Sequence, residues 1–391
     1  MVQKLRQHGL GKLSFALGVS LLLVATGQAQ QAAAVPVMDY IQQPVSSTAY
    51  GVFSVDAFDI DGDGQVDILG AMRTSGNVAW WHNGLAEGTG WQEQAVDRTV
   101  TGAQNATAAD IDADGDLDVV AAAAIADEIA WWRNEDGSGH VWTKTVVGQD
   151  FDGARWVISA DMDADGDLDI AGVAGWANRV AWWQNSDGSG AKWSEHEVDS
   201  AFGGAHSLAA CDLDSDGDLD LLGAAFWDNE IGWWENLDNR GLTWAYHLIA
   251  AGFWNAISAE AGDIDRDGDL DVVGAAFGAG DVGWWQNRDG KGLTWVYRAL
   301  DINFVGAHNI VLVDMDNDKD LDIVSPASGG DQIAWWDNIL GSGRRWNKKI
   351  VASNFDGPVN LAVADFNADG LMDVTAAGFV GDTIAWWQAQ P

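Results

Sequence analysis

The sequence predicts an all-β fold, a seven-bladed β-propeller with four-stranded antiparallel blades. A unit of 51 residues recurs seven times without an insertion, every unit carries a pair of adjacent tryptophans, and the last unit lacks its fourth strand. Because stacked repeats of this length build one closed body, we expect a single domain at residues 40–391. Each unit contains an acidic loop, and the seven loops begin at Asp59, Asp110, Asp161, Asp212, Asp263, Asp314 and Asp365.

The strands of one unit can be assigned from its apolar segments. In the third unit these are residues 157–160, 168–173, 180–183 and 193–198, and Asp, Gly, Asn and Ser clusters separate them. Short apolar segments between such clusters indicate strands joined by turns. Four strands per repeat are typical of one propeller blade.

The tryptophan pairs predict how the blades pack. Neighbouring residues of a strand point to opposite faces, so one ring of each pair can contact the preceding blade and the other ring the following blade. We interpret the pairs as structural packing rather than as a ligand platform, because they recur in every unit. They are Trp80-Trp81, Trp131-Trp132, Trp182-Trp183, Trp233-Trp234, Trp284-Trp285, Trp335-Trp336 and Trp386-Trp387.

The two ends of the repeated region predict ring closure. The last unit stops at residues 388–391, and residues 40–45 lie one repeat before the fourth strand of the first unit. This segment can therefore pair with the final blade as its missing strand, which would remove the open sheet edges.

The first residues predict export. Lys4, Arg6 and Lys12 precede an apolar run at residues 13–25, and small residues lead to Ala29. This pattern is typical of a secretory signal peptide at residues 1–29, followed by a short linker at 30–39. The run is shorter than the roughly 20 residues of a membrane span. We expect a secreted, periplasmic or cell-surface protein that is monomeric.

Composition excludes two classes of protein. The chain has 59 acidic and 20 basic residues and a net charge of −39, which argues against nucleic acid as a partner. It is 47% hydrophobic with 24 tryptophans, which excludes a disordered acidic segment. The acidic loops explain the charge, because 32 of the 59 acidic residues lie in seven nine-residue windows.

The loops predict calcium sites, up to seven, one per blade. Six follow the pattern D-x-D-x-D-x-x-x-D, which places hard oxygen ligands at positions 1, 3, 5 and 9, with glycine at position 6 of most loops for a sharp turn. Zinc or copper would favour His or Cys ligands, and magnesium demands a stricter geometry. The pattern is not an EF-hand, because position 12 holds no glutamate. We expect weaker binding in the last two loops, where Lys319 replaces the glycine and Asn367 a carboxylate.

The predicted metal ligands are Asp59, Asp61, Asp63 and Asp67 in the first loop, Asp110, Asp112, Asp114 and Asp118 in the second, Asp161, Asp163, Asp165 and Asp169 in the third, Asp212, Asp214, Asp216 and Asp220 in the fourth, Asp263, Asp265, Asp267 and Asp271 in the fifth, Asp314, Asp316, Asp318 and Asp322 in the sixth, and Asp365, Asn367, Asp369 and Asp373 in the seventh.

These loops, each between two apolar strands, resemble FG-GAP or VCBS-type repeats across residues 40–391. The resemblance implies a propeller similar to that of integrin α-subunits and of certain fungal and bacterial lectins. It also implies calcium sites on the hairpin between the first two strands of a blade. The Phe-Gly-Gly-Ala sequence that names the family occurs only once, at residues 202–205.

The predicted ligand site lies on the rim opposite the acidic loops. Trp156, Trp176, Trp227 and Trp254 fall outside the repeated tryptophan positions and map to this rim in the third to fifth blades. Arg155, His206 and His308 occupy a variable position at the start of the innermost strands, where they could face the central channel. Exposed tryptophans stack on sugar rings, and Arg and His hydrogen-bond hydroxyl or carboxylate groups. The alternative is that these tryptophans fill gaps between blades and the histidines are structural.

Three functions remain open at the level of sequence. The first is a non-catalytic recognition module for glycans or cell-surface partners. The second is a polysaccharide lyase, in which Arg155 neutralises a uronate carboxylate and His206 or His308 abstracts the adjacent proton. The third is a hydrolase with paired rim carboxylates drawn from Asp152, Asp228, Glu230 and Glu260.

Overall fold

The computed structural model describes residues 39–84 and 90–390. The predicted signal peptide and most of the predicted linker lie outside the described residues. Within the described residues every regular element is a strand, and no helix could span a membrane. The strands form seven antiparallel four-stranded sheets, as the repeat predicts.

The strands follow one pattern, in which each blade runs from the innermost to the outermost strand. They are β1 (Asp39–Ser46), β2 (Val52–Phe58), β3 (Asp67–Met72), β4 (Asn77–His82), β5 (Gln92–Asp97), β6 (Ala103–Ala109), β7 (Asp118–Ala123), β8 (Glu128–Asn134), β9 (Trp142–Gly148), β10 (Ala154–Ala160), β11 (Asp169–Ala174), β12 (Arg179–Asn185), β13 (Trp193–Asp199), β14 (Ala205–Cys211), β15 (Asp220–Ala225), β16 (Glu230–Asn236), β17 (Trp244–Ala251), β18 (Ala256–Gly262), β19 (Asp271–Ala276), β20 (Asp281–Asn287), β21 (Trp295–Asp301), β22 (Val311–Val313), β23 (Asp322–Ala327), β24 (Gln332–Asn338), β25 (Trp346–Ser353), β26 (Pro358–Ala364), β27 (Asp373–Gly378) and β28 (Thr383–Gln390).

The ring is closed by the first strand, as the sequence predicts. Strand β1 pairs antiparallel with β28, from Asp39 opposite Gln390 to Ser46 opposite Ile384. Blade 7 therefore has the order β1-β28-β27-β26, with three strands from the end of the described chain and one from its beginning. The closure is reinforced where the backbone nitrogen of Gly51 donates to Asp382 at 2.7 Å.

The tryptophan pairs pack between blades, which confirms their predicted role. The first tryptophan of one blade shares a core cluster with the second tryptophan of the next, as Trp80 does with Trp132. The same arrangement joins the last blade to the first, where Trp386 and Trp81 share a cluster. All 14 rings are at most 5% exposed. Burial of such rings dominates core energetics, so these seven junctions hold the ring together.

A belt of hydrogen bonds joins the innermost strands. The third residue of β2 is Ser54, whose hydroxyl accepts a hydrogen bond from the backbone nitrogen of Ala106 in the next blade at 3.2 Å. Equivalent bonds join Asn105 to Val157, Ser207 to Ala259, Ser258 to Ile310, Asn309 to Leu361 and Asn360 to Val55. Only Trp156 breaks the series, since an indole ring has no acceptor to offer.

The connections form two rims. The acidic loops join first to second strands, and we call their side of the ring the acidic rim. The turns between second and third strands, with the loops that lead into the first strands, form the turn rim. The turns and the entry loops are hydrogen-bonded to each other. For example, the backbone nitrogen of Ala177 donates to the backbone carbonyl of Asp152 at 2.9 Å. The strand direction places the two rims at opposite ends of the channel.

Candidate functional site

Each acidic loop is anchored by its last aspartate. Asp67, which is completely buried, accepts from the backbone nitrogen of Ile60 at 3.1 Å and from that of Asn83 at 2.8 Å. The side chain of Asn83 then donates to Phe366 of the neighbouring blade at 2.8 Å. The aspartate at position 9 therefore ties the loop both to its own sheet and to the adjacent one.

The front of the loop is curled by two left-handed residues. In the third loop these are Ala164, with φ of 58°, and Gly166, with φ of 99°. The backbone nitrogen of Gly166 donates to Asp161 at 3.0 Å, and that of Asp165 donates to the same carboxylate at 3.0 Å. Lys319 adopts φ of 78° at position 6, a conformation that disfavours side chains other than glycine.

The curl brings carboxylates together. Oxygen atoms from three loop residues lie within 4.8 Å of one another in several blades, for example Asp161, Asp163 and Asp169. Burial and the neighbouring carboxylates raise the pKa of Asp169 to about 8 and that of Asp322 to about 9. Buried oxygen atoms without a hydrogen-bond partner remain on Asp59, Asp110, Asp112, Asp265 and Asp316. Such a set of oxygen donors could hold a hard metal ion.

The blades differ in the residue that faces the loop from the third strand. This position holds His82, Arg133, Gln184, Glu235, Gln286, Asp337 and Gln388. The Nδ1 atom of His82 lies 3.1 Å from Asp61. The guanidinium of Arg133 lies 3.0 Å from Asp112 and 3.1 Å from Asp114, so a fixed positive charge already offsets part of the negative charge of the second loop.

The turn rim carries exposed apolar side chains in every blade, and one from each blade is grouped here as a ring, with Phe277 and Ile302 exposed on the same rim. In four blades the residue lies on the turn between second and third strands, and in three it lies on the loop that leads into the first strand. The ring consists of Tyr50, Ile125, Trp176, Trp227, Trp254, Val305 and Val380. Its three tryptophans occupy the third to fifth blades, as the sequence predicts, and are 42%, 50% and 59% exposed.

Each of these tryptophans rests on a glycine. A side chain added at Gly153 would lie 2.7 Å from the ring of Trp176, one at Gly204 would lie 2.8 Å from Trp227, and one at Gly278 would lie 3.0 Å from Trp254. Gly153 and Gly204 also have positive φ angles. The absence of side chains beneath the rings lets them lie against the backbone, which fixes their orientation before any ligand arrives.

The channel mouth inside this ring is lined by the variable position found in the sequence. In six of the seven blades this residue lies at a β-bulge, for example Arg155 between the paired residues Ala154 and Trp156. Bulges turn a side chain away from the regular alternation of a strand. The repeated bulge therefore aims one variable side chain per blade at the mouth.

The structure brings four of the predicted site residues together at the mouth. The rings of His206 and His308 are 5.8 Å apart, and both residues line a small cavity with Trp156. Burial and, to a smaller extent, the charge of Arg155 lower the pKa of His308 to about 3 and hold that of His206 far below its ordinary value. The cavity measures about 10 Å³, roughly the space of one water molecule.

Phenylalanine rings close the rest of the mouth. Phe53 lies 5.8 Å from His308 and 5.7 Å from Phe379, and Phe277 lies 6.2 Å from His308. The predicted ligand-site residues thus fall into two groups. Trp156 lies in the filled channel mouth, and the other three tryptophans lie on the exposed rim.

Two of the four rim carboxylates considered for hydrolysis have structural partners. Asp228 accepts from the backbone nitrogen of Gly203 at 2.6 Å, and Glu230 accepts from the hydroxyl of Tyr246 at 2.7 Å. Glu260 lies within the inner strand β18, so its placement on the rim was wrong.

Two further residues lie at the mouth, one of which, Gln104, occupies the variable position that the sequence already singles out. Arg73 follows β3, where other blades have phenylalanine, alanine, glycine or serine, and its guanidinium lies 6.0 Å from the ring centre of Phe53. Gln104 occupies the bulge of the second blade, and it is only 1% exposed. Arg73 becomes apparent only when the units are also compared at the residue that follows the second strand.

Solved structures support the fold. Two crystal structures of BBS1N in complex with ARL6DN, one soaked with lead and one with mercury, match with TM-scores of 0.62 and 0.61. In both, the sequence identity is 10%, and the match covers 90% of this chain and 96% of the other. No curated protein matches the sequence.

The repeats themselves match a family model. The model for the FG-GAP-like repeat matches residues 59–121, 110–172, 161–223, 212–274 and 314–376. Each match spans two consecutive acidic loops with the strands between them. The matched segments therefore follow the same 51-residue repeat as the blades of the structure. Together the matches cover more than half of the sequence, and the chain belongs to the family of FG-GAP-like repeat proteins.

Proposed function

We propose that this protein is an exported, non-catalytic recognition module that binds glycans across its turn rim. The observation that carries the proposal is the set of three exposed tryptophans on consecutive blades, each resting on a glycine. Indole faces stack on the apolar C–H faces of sugar rings, and orientation fixed in advance reduces the entropy lost on binding. Since the channel mouth is filled, the ligand lies across the rim rather than inside the channel.

We also propose that the acidic loops bind calcium. The carboxylates at positions 1, 3, 5 and 9 supply oxygen donors, and their unpartnered buried oxygens fit a hard cation. Calcium would neutralise carboxylates that otherwise repel one another. The position-9 aspartates would transmit that effect to the sheets, because each accepts a hydrogen bond from a backbone nitrogen at the end of the third strand of its own blade. Millimolar extracellular calcium suffices for loops of modest affinity, which agrees with export.

The experiment is a binding assay with substituted rim residues. Trp176→Ala and Trp227→Ala are each expected to reduce retention on immobilised polysaccharides about fivefold, since stacking on one indole contributes on the order of 1 kcal/mol. Val380→Ala is the matched control, because it removes an apolar member of the same ring on the far side. Equal binding by the parent and both tryptophan variants would disprove the role of the rim.

A second candidate function is a polysaccharide lyase, which the contact between the neutral His206 and His308 favours. One imidazole would take the proton from the carbon next to a uronate carboxylate, a C=C bond would form as the C–O bond to the leaving sugar breaks, and the leaving oxygen would receive a proton from water. Ultraviolet absorbance recorded during the binding assay separates the two functions. Absorbance that rises with the parent and not with His308→Ala would establish a lyase, and retention without product would establish a recognition module.

A protein ligand is the third outcome of the same assay. The similar solved structures show BBS1N in complex with ARL6DN, so a propeller of this fold can bind a protein. If no polysaccharide is retained by the calcium-loaded protein, the apolar ring would be assigned to a protein partner.

A further inference from the structure

The channel mouth concentrates positive charge in a strongly acidic protein. Arg73 and Arg155 come from blades 1 and 3, and the charge of Arg73 reaches Arg155 strongly enough to disfavour its protonated form. Burial contributes more than this repulsion, and together they lower the pKa of Arg155 to about 10. Among the described residues, no carboxylate offsets either effect. The chain carries 59 acidic residues, so two arginines at the mouth without a carboxylate partner in the described part of the chain are unexpected.

Neither guanidinium forms a hydrogen bond or an ion pair with any residue that the structure describes. Other arginines of the protein do find partners: Arg98 lies 3.1 Å from Glu93, and Arg133 lies 3.0 Å from Asp112. The guanidinium of Arg73 lies over the ring of Phe53, 6.0 Å from its centre. Arg155 passes over Gly175, where a side chain would collide with it. The protein thus leaves space for Arg155 and supplies no anion to it.

Gln104 lies in the blade between these two arginines. It occupies the bulge of β6, is 1% exposed, and has no hydrogen-bond partner for either its amide nitrogen or its amide oxygen. A buried polar group without a partner costs about 1–3 kcal/mol. Such a cost is tolerated most readily where a ligand supplies the missing partner. Ala124, in the same blade, is small and adds no bulk to the mouth.

We propose that Arg73, Gln104 and Arg155 form an anion-binding subsite that selects acidic glycans, which carry either carboxylate or sulfate groups. The inference rests on the proposed glycan-binding function, because the exposed tryptophans of blades 3 to 5 begin beside Arg155. Sugar rings stack on those tryptophans while one acidic substituent reaches the guanidiniums at the mouth. Planar guanidinium groups suit both kinds of oxyanion, and the amide nitrogen of Gln104 adds a neutral donor.

The test compares matched polymers on the calcium-loaded full chain. Polygalacturonate is compared with its neutral methyl ester, and dextran sulfate with dextran. We expect at least a tenfold preference for the acidic member of one pair or both, and the pair that shows it identifies the acidic group. Arg73→Gln and Arg155→Gln should each reduce that preference about tenfold, and Arg155→Lys should reduce it less. Arg240→Gln, an equal charge change on the acidic rim, should have no effect.

The outcomes separate this inference from the function on which it rests. Equal binding of acidic and neutral polymers that still requires Trp176 would overturn the anion subsite and leave glycan recognition intact. No binding of any polymer would overturn both. The variants remain interpretable, because removing one of two mutually repelling charges without partners should not lower the melting temperature. An unchanged preference in correctly folded Arg73→Gln and Arg155→Gln proteins would also overturn the subsite.

Discussion

Arg133 makes the second acidic loop different from the others. Its guanidinium contacts Asp112 and Asp114, two of the predicted metal ligands, at 3.0 Å and 3.1 Å. Gln184 holds the same position in the third blade and donates to Asp163 at 2.6 Å without bringing a charge. A fixed positive charge competes with a bound cation for the same carboxylates. The second loop should therefore bind calcium more weakly than the third, although its sequence matches the loop pattern fully.

The substitution Arg133→Gln tests this competition. It copies the third and fifth blades, so we expect the loop geometry to persist and the calcium affinity of one site to rise about tenfold, which corresponds to about 1.4 kcal/mol. The measurement is calcium bound per chain at limiting free calcium, by equilibrium dialysis. Arg98→Gln removes an equal charge away from the loops and serves as the control. An identical binding curve for parent and Arg133→Gln would contradict the competition.

The loop carboxylates could be predicted from the sequence because they are local. Positions 1 to 9 of one loop, such as 161–169, fold on themselves, so spacing alone determines which oxygens meet. The position that faces the loop could not be predicted in this way, since Arg133 follows the loop by more than a dozen residues and meets it only across the sheet. The weak loops expected from Lys319 and Asn367 remain predictions.

The innermost strands have a free edge toward the channel, and side chains from neighbouring blades cover it. Asn105 and Ser258 each accept a hydrogen bond from the backbone of the next blade, at 3.0 Å and 3.1 Å. Unpaired backbone nitrogens at a strand edge are costly when buried and promote aggregation when exposed. The belt therefore stabilises each blade through its neighbour. Trp156 interrupts the belt at the junction where the predicted ligand site lies.

Removal of one belt residue should measurably destabilise the ring. Asn105→Ala and Ser258→Ala each leave a buried backbone nitrogen without its partner, so we expect the free energy of unfolding to fall by about 1–3 kcal/mol. Chemical denaturation in saturating calcium measures the change. Ser194→Ala, at an exposed position of β13, is the control and should be neutral. Midpoints that match the parent for both belt variants would show that the belt contributes nothing to stability.

At the level of elements, the constant 51-residue spacing made the fold predictable. Because the repeat has no insertions, each strand occupies the same position in every unit. The four strands per unit and the role of β1 as the closing strand can therefore be predicted from the spacing alone. The recurrent bulge in the first strand was not predictable, because the side chains at that position share no residue type. Arg73 was missed for the same reason, since its place at the mouth depends on a turn whose sequence varies between blades.

The whole molecule separates two kinds of chemistry at its two ends. The acidic rim holds most of the negative charge in its loops, and the turn rim holds exposed tryptophans around two arginines. An acidic glycan would be repelled by the distant loops only weakly, because charges farther apart than about 8 Å are screened at physiological salt. Calcium would weaken that repulsion further. Ligand binding and metal binding should thus be coupled through stability rather than through direct contact.

Metal removal is the test at this scale. The seven loops crowd carboxylates whose pKa values burial raises, as with Asp322 at about 9, so without a cation at pH 7.5 the folded state must either bind protons or tolerate repulsion. Calcium at a hundred times its dissociation constant stabilises a protein by about 2.7 kcal/mol per site. With several sites in one ring, we expect a chelator to lower the melting temperature sharply, calcium to restore it, and magnesium at the same concentration to restore it far less.

Because every position-9 aspartate is hydrogen-bonded to its own sheet, the loss of stability should appear as unfolding of the whole ring rather than of single loops. A melting curve that is the same with calcium and with chelator would show that the loops fold without a metal, and the acidic rim would then require another explanation.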